Sequence, residues 1–192
     1  YPGFGNPELD PQRNRGQEAA LKYDDGSLSA SATIYRNRIR GFIDPRTNRQ
    51  SAQATLEGAT LEAGWRGTQW GVSGSIDFLD AKEEPTGLRL VRRADRTAQL
   101  QVDRRDTWGT VFAEWLLVSD REDLDFSSSP SRRVRMGGYG LVNLGTQVNL
   151  APGWQLLGRV NNLTDKDYTT SFGYSTLGRT LFVGVQYQGR KP

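Results

Sequence analysis

NNLTDKDYTTSFGYSTLGRTLFVGVQY, residues Asn161 to Tyr187, decides the fold class of this chain. It predicts a strand end, a long polar loop and a final strand. In that strand Leu181, Val183, Val185 and Tyr187 share one face, and Thr180, Phe182, Gly184 and Gln186 share the other. Strand side chains point alternately to opposite faces, so one row is apolar and the other mixed. A lipid-facing barrel strand has this pattern, and so does a half-buried strand of a soluble sandwich. The rest of the chain must choose between them.

The same alternation recurs upstream. Residues 1–16 read as a loop rich in Pro, Gly, Asn and Arg. Strands follow at Gln17 to Tyr23 and Leu28 to Arg38, joined by Asp24-Asp25-Gly26, where Gly accepts the positive φ of a tight hairpin. Further strands are predicted over Ala52 to Arg66, Trp70 to Phe78, Arg93 to Asp103, Trp108 to Ser119, Tyr139 to Leu150 and Trp154 to Asn161. That makes about nine strands in successive hairpins. Connections alternate between short (after Tyr23, Arg66, Asp103 and Leu150) and long (after Arg38, Leu79, Ser119 and Asn161). A soluble meander has no reason to obey such a rule, whereas an outer-membrane barrel has short periplasmic turns and long extracellular loops. Tyr23, Trp65, Trp70, Trp108, Trp154 and Tyr187 sit beside the short turns, where an interfacial aromatic girdle belongs.

The polar rows point the same way. Ser29, Ser31, Thr33, Gln53, Thr55, Glu57, Ser73, Ser75, Asp77, Gln99, Gln101, Asn143, Gln147 and Arg159 are expected opposite the apolar rows. Such a row is too polar for a soluble core, whose buried polar groups must all be paired. It suits a water-filled or plugged lumen. The fold expected is therefore all-β, an antiparallel up-and-down transmembrane β-barrel. Its rival is a small soluble β-barrel or sandwich binding a lipid or sugar.

Composition narrows the chemistry. The 192 residues are 35% hydrophobic with a mean hydropathy of -0.65, and no stretch supplies the roughly 18–20 apolar residues a spanning helix needs. Cysteine and histidine are both absent, which removes disulfides, thiol catalysis, thiolate metal sites and the commonest general base. No catalytic residue is assigned: Glu57 and Asp77 could share a lumen face, but structural polarity explains them better than a glycosidase pair. The cations are nearly all arginine, only Lys22, Lys82, Lys166 and Lys191 being lysine. Arginine suits phosphate, yet the charges are spread along the chain, which speaks against nucleic acid. No signal peptide is visible, and the start at Tyr1-Pro2-Gly3 without Met reads as an internal fragment or a trimmed product.

Several segments resemble one family. Tyr1-Pro2-Gly3-Phe4-Gly5-Asn6-Pro7-Glu8-Leu9-Asp10-Pro11, followed by Gln17-Glu18, resembles the segment that opens the C-terminal strands of TonB-dependent outer-membrane receptors. Asn161-Asn162-Leu163-Thr164-Asp165-Lys166-Asp167-Tyr168, with Gly178-Arg179 and a final strand, is similar to that family's ending, although Thr164 replaces the usual Phe and Leu177 a common Pro. Within the family the vitamin B12 (cobalamin) receptors look nearest, through Leu90-Val91-Arg92-Arg93-Ala94, Asp125-Phe126-Ser127-Ser128, Val134-Arg135-Met136-Gly137-Gly138 and Phe172 to Arg179.

The resemblance implies that residues 1–192 are the last nine or so strands of a 22-stranded barrel with a plugged lumen, the plug domain and earlier strands being absent. It further implies a bacterial outer-membrane receptor that imports cobalamin, energised by TonB through the missing plug. A siderophore or haem receptor is the alternative. Calcium sites would lie in the missing loops, and this segment would carry no cofactor. The family usually ends on an aromatic residue, whereas Gln188-Gly189-Arg190-Lys191-Pro192 follows Tyr187 here.

Candidate sites lie in the long loops. Arg92 and Arg93 are expected at the mouth, donating to amide or phosphate groups of a corrinoid. Ser127, Ser128 and Ser129, with Phe172 and Tyr174, would line the same mouth, aromatics offering flat area to a large ring system. Asp120, Glu122, Asp123 and Asp125 could bind calcium but read better as a solvated acidic loop. Arg132, Arg133 and Arg135 are candidates for the phosphates of outer-membrane lipid or lipopolysaccharide. Asp165, Lys166 and Asp167 read as a loop-ordering charge cluster.

Overall fold

The structure, a computed structural model, describes residues 6–44, 49–84 and 86–189. Among the described residues eleven strands form: β1 (Arg13–Asp24), β2 (Leu28–Asp44), β3 (Arg49–Arg66), β4 (Trp70–Glu84), β5 (Arg96–Asp106), β6 (Gly109–Val118), β7 (Arg121–Asp125), β8 (Arg132–Met136), β9 (Tyr139–Ala151), β10 (Trp154–Asn161) and β11 (Thr180–Tyr187). Nine of them make one antiparallel sheet in the order β1-β2-β3-β4-β5-β6-β9-β10-β11, and β7-β8 is a separate hairpin inserted between β6 and β9. Every neighbour in the large sheet is also the next large-sheet strand in sequence, the meander that hairpin alternation predicts. Gly26 and Gly153 both take positive φ, 91° and 82°, at two of the tight turns.

The register decides which face is which. Val160↔Leu181, Gly158↔Val183, Leu156↔Val185 and Trp154↔Tyr187 stack on one side of β10 and β11. Continued across the sheet, that side carries Val148, Leu144, Val111, Trp115, Leu100, Val102, Ile76, Val72, Leu61, Ile34 and Leu21. Leu181, Val183 and Val185 are 74%, 64% and 61% exposed, so the apolar row faces outward and does not form a core. Tyr23, Trp65, Trp70, Trp108, Trp154 and Tyr187 are all exposed beside the tight turns, with Trp154 and Tyr187 in ring contact at 4.8 Å between centroids. Apolar rows with an aromatic rim match the hydrocarbon and interface levels of a membrane barrel.

The opposite side lines a trough of about 700 Å³ whose walls include Ser31, Glu62, Ser75, Gln101, Glu114 and Asn143. Its polar groups pair across strands: Ser31 donates to Glu62 at 2.7 Å, Thr60 to Asp77 at 2.7 Å, and Asn143 to Glu114 at 3.3 Å. Arg159 is ion-paired to Glu114, donates to Asn161 at 2.6 Å, and lies 5.6 Å over the Phe112 ring. A polar wall satisfied side chain to side chain tolerates water, so the sheet needs no apolar interior.

Several expectations change, and β1 begins at Arg13, inside the segment read as a loop to residue 16. The long polar connection expected after Arg38 is replaced by strand: β2 runs to Asp44 and β3 starts at Arg49, so only residues 45–48 separate them. Residues 45–48, the middle of that connection, lie outside the described residues. β4 also continues to Glu84, and Arg93 to Asp95 precede β5. The segment from Asp120 to Gly138 contains the β7-β8 hairpin. Finally, Gln53, Thr55 and Glu57 belong to the outward face with Ala59 and Leu61, while Asp77 faces inward opposite Thr60. Glu57 and Asp77 thus lie on opposite faces of the sheet. The outer row turns polar there because it has risen past the apolar band.

Candidate functional site

Three connections, 86–95, 119–138 and 162–179, lie at the end of the sheet opposite the tight turns. Gathered there, their polar backbone must be paired among themselves. The β7-β8 hairpin does most of this. Its register sets Glu122↔Arg135, Leu124↔Arg133 and Asp125↔Arg132, an acidic strand against a basic one. Opposite charges on facing strands attract, and each pair adds a few tenths of a kcal/mol to ~1 kcal/mol.

Asp123 is the junction of the three connections. Its carboxylate is fully buried, at 0% exposure. It accepts from Arg92 Nε at 2.8 Å in the first connection, from Leu124 N at 2.8 Å in its own, and from Phe172 N at 2.7 Å and Ser171 Oγ at 3.3 Å in the third. Burial pushes this carboxyl's pKa up, but the donors from Phe172, Arg92 and Leu124 outweigh it and hold the group below the usual carboxylate range. Arg121, 4% exposed, reaches the Thr169 and Thr170 carbonyls and lies 5.5 Å over the Tyr139 ring. A second seam runs from Arg92 N to Glu122 O at 2.6 Å and from Arg133 Nη1 to Arg89 O at 2.9 Å.

The third connection is locked at its base. Asn162, buried with φ 51°, donates to Lys166 O and accepts from Lys166 N, at 3.0 and 2.9 Å. Asp165 accepts from Arg179 N at 2.7 Å. The acid at 165 does order the loop, closing it onto the start of β11.

The candidate ligand residues divide accordingly. Arg92 has φ 60° and its guanidinium is held by Asp123, so it positions a loop as much as it offers a donor. Arg93 is exposed. Phe172 is tied through its amide to the carboxylate that Arg92 also binds, which brings those two together, and its ring stays exposed. Tyr174 is exposed at 69% on the same connection. Ser128 and Ser129 lie at the exposed tip of the β7-β8 hairpin, where Ser128 Oγ donates to Pro130 O at 3.2 Å. Ser127 turns back to Asp125 instead, donating through N at 2.9 Å and Oγ at 2.6 Å.

The other candidates are mutually neutralised. Arg132 pairs with Asp125 at 3.0 Å, Arg135 with Asp120 at 3.0 Å, and Arg133 with Glu122. Arg132 and Arg135 stay largely exposed while so paired, and the neighbouring carboxylates offset part of the charge that a lipid phosphate would meet. Among the described residues no group of three or more acids could hold a metal ion. Asp123 and Arg121, the centre of the arrangement, were not separated in the sequence from the surrounding charges. Two charged five-residue runs around a Ser- and Pro-rich turn were the available hairpin signal.

The sequence matches the family model of the TonB dependent receptor-like β-barrel over residues 1–163. Solved structures share the fold at low identity. The copper transporter OprC is similar at 19% identity with a TM-score of 0.77, over 94% of this chain and 32% of that one. The ferripyoverdine receptor of the outer membrane of Pseudomonas aeruginosa is similar at 16% identity and 0.76, over 93% and 27%. The FrpB iron transporter from Neisseria meningitidis is similar at 17% identity and 0.75, over 94% and 31%. The chain spans 27% to 32% of the length of these proteins. Its all-β meander, outward apolar rows and aromatic rim agree with that match: the chain belongs to the TonB-dependent receptor β-barrel family of the bacterial outer membrane.

Proposed function

We propose that this chain is the C-terminal portion of a larger barrel that takes up a large, scarce nutrient across the outer membrane, driven by TonB. The observation that carries the reading is the pairing of a polar wall with three loops cross-braced at one end by a single carboxylate. A wall of Ser, Gln and Asn suits a solvated passage, and braced loops can present several side chains to one ligand without losing much entropy on binding.

Cobalamin is the ligand we favour. The support is the resemblance carried by Leu90 to Ala94, Asp125 to Ser128, Val134 to Gly138 and Phe172 to Arg179. Those segments coincide with the three braced connections. Arg93, Ser128, Ser129, Phe172 and Tyr174 would meet the ligand directly, and Arg92 would meet it while bound to Asp123. A ferric siderophore is the second reading, favoured by the shared fold with a ferripyoverdine receptor and an iron transporter.

Competition binding on the intact protein separates them. Cyanocobalamin should displace labelled cobalamin at nanomolar to micromolar levels, and ferric chelates should not. Replacing Arg93 and Tyr174 together by Ala should weaken cobalamin at least tenfold. Displacement by ferric chelates alone would transfer the assignment to the second reading.

A further inference from the structure

The outward face of β1 and β2 changes character along its length. Tyr23↔Ala30, Leu21↔Ala32 and Ala19↔Ile34 are apolar pairs on that face. The next pairs on the same face are Gln17↔Arg36, Arg15↔Arg38 and Arg13↔Arg40. Five arginines therefore stand in two adjacent columns on the side that meets lipid, and all five are exposed.

Their depth can be placed. Arg15 lies about eight residues beyond Tyr23 and Arg38 about ten beyond Leu28, or ~26 to 33 Å along the strand at ~3.3 Å per residue. At a strand tilt of roughly 40° this is ~20 to 25 Å along the membrane normal, close to the ~25 Å height of a barrel's apolar band. The aromatic rim marks the interface at the tight-turn end. The arginines stand at the other interface, at the headgroups of the outer leaflet.

Their arrangement is unfavourable without a counter-ion. Arg15↔Arg38 and Arg13↔Arg40 are directly opposed like charges, which destabilise a strand pair. Only Arg36 has a carboxylate among the described residues, Glu57 at 2.7 Å. On β3 the partners of Arg38 and Arg40 are neutral, Thr55 and Gln53. Arg15, Gln17, Arg36 and Arg38 enclose a shallow pocket of about 150 Å³. Guanidinium forks bind phosphate through paired, charge-assisted hydrogen bonds. A zwitterionic headgroup brings its own ammonium and would leave most of this charge uncompensated.

We propose that Arg13, Arg15, Arg38 and Arg40, with Arg36 at their base, form a docking site for the phosphate groups of an anionic, multiply phosphorylated glycolipid of the outer leaflet. The site rests on the membrane placement of the barrel and is independent of which nutrient passes through it. It is a site separate from Arg132, Arg133 and Arg135, each of which pairs with an acid of the 119–138 connection.

The test is native mass spectrometry of the intact protein in neutral detergent, titrated with diphosphorylated glycolipid, its enzymatically dephosphorylated form, and phosphatidylethanolamine. Wild type should retain the diphosphorylated lipid at least tenfold better than either of the others, with retention falling as salt rises. Arg15→Gln/Arg38→Gln should lose that preference at least tenfold, and Arg13→Gln/Arg40→Gln should do the same if the first variant fails to assemble. Thermal melting provides a second readout: the diphosphorylated lipid should raise the wild-type Tm and leave the variants' Tm unmoved, while cobalamin binding stays unchanged in all. Equal retention of the dephosphorylated lipid, or an undiminished preference in assembled variants, would overturn the proposal.

Discussion

Asp123 accepts hydrogen bonds from Arg92, Leu124, Ser171 and Phe172, so one carboxylate joins three connections that are distant in sequence. The strength of the junction depends on charge. Its folded pKa is lowered from the ordinary 3.8, so its stabilisation is fully present above that value and lost as pH falls through the folded pKa. Amide-exchange protection at Phe172 and Leu124 should therefore be flat at neutral pH and collapse together only below about pH 4. Asp123→Ala should remove it at every pH, because Arg92 and two amides then lose a buried partner. The expected cost of about 3 kcal/mol is roughly a hundredfold in protection. Protection at the Asp25 turn, on the opposite end of the sheet, should be untouched. Independent exchange of Phe172 and Leu124 would mean that no such junction operates.

At the scale of the element, β9 shows how a strand makes room for a lumen network. Gly145 lies opposite Phe112 on β6 and Arg159 on β10. The Phe112 ring covers the glycine, so a Cβ built at 145 would overlap the ring. Arg159 lies on that ring and pairs with Glu114. Gly145→Ala should therefore push Phe112 aside, disturb the Arg159–Glu114 pair, and cost about 1–3 kcal/mol in urea unfolding of the intact barrel. A substitution without effect would show the ring free to swing away. The β7-β8 hairpin illustrates another route, an acidic strand set against a basic one, with Met136 as its buried apolar residue.

For the whole molecule, the decisive property is which side meets hydrocarbon. Val183 lies about four residues above Tyr187 in the apolar row, close to the middle of the band, whereas Gln101 lines the trough. Val183→Arg should cost ~2–4 kcal/mol in lipid vesicles, and Gln101→Arg less than about 1 kcal/mol. The difference is read from urea titrations of the two variants in the same vesicles. Equal costs would contradict the assignment of faces. The arginines of β1 and β2 obey the same logic in reverse, since they begin where the apolar row stops.

The sequence by itself determined the nine-stranded meander, the turn positions and the orientation of the apolar rows. Those properties are local: alternation has period two, and Gly26 and Gly153 mark turns wherever the chain lies. Glu57 shows the limit of pattern reading, because its row changes from apolar to polar as it leaves the hydrocarbon, and membrane depth is not a local property. The tertiary structure alone decided that Arg92 and Phe172 share one buried carboxylate, that Arg132, Arg133 and Arg135 are neutralised within a hairpin, and that Arg15 stands opposite Arg38. Each of these depends on register or on contacts between segments tens of residues apart. Charge patterning along a chain shows which groups exist, and only the folded backbone brings them within hydrogen-bonding distance.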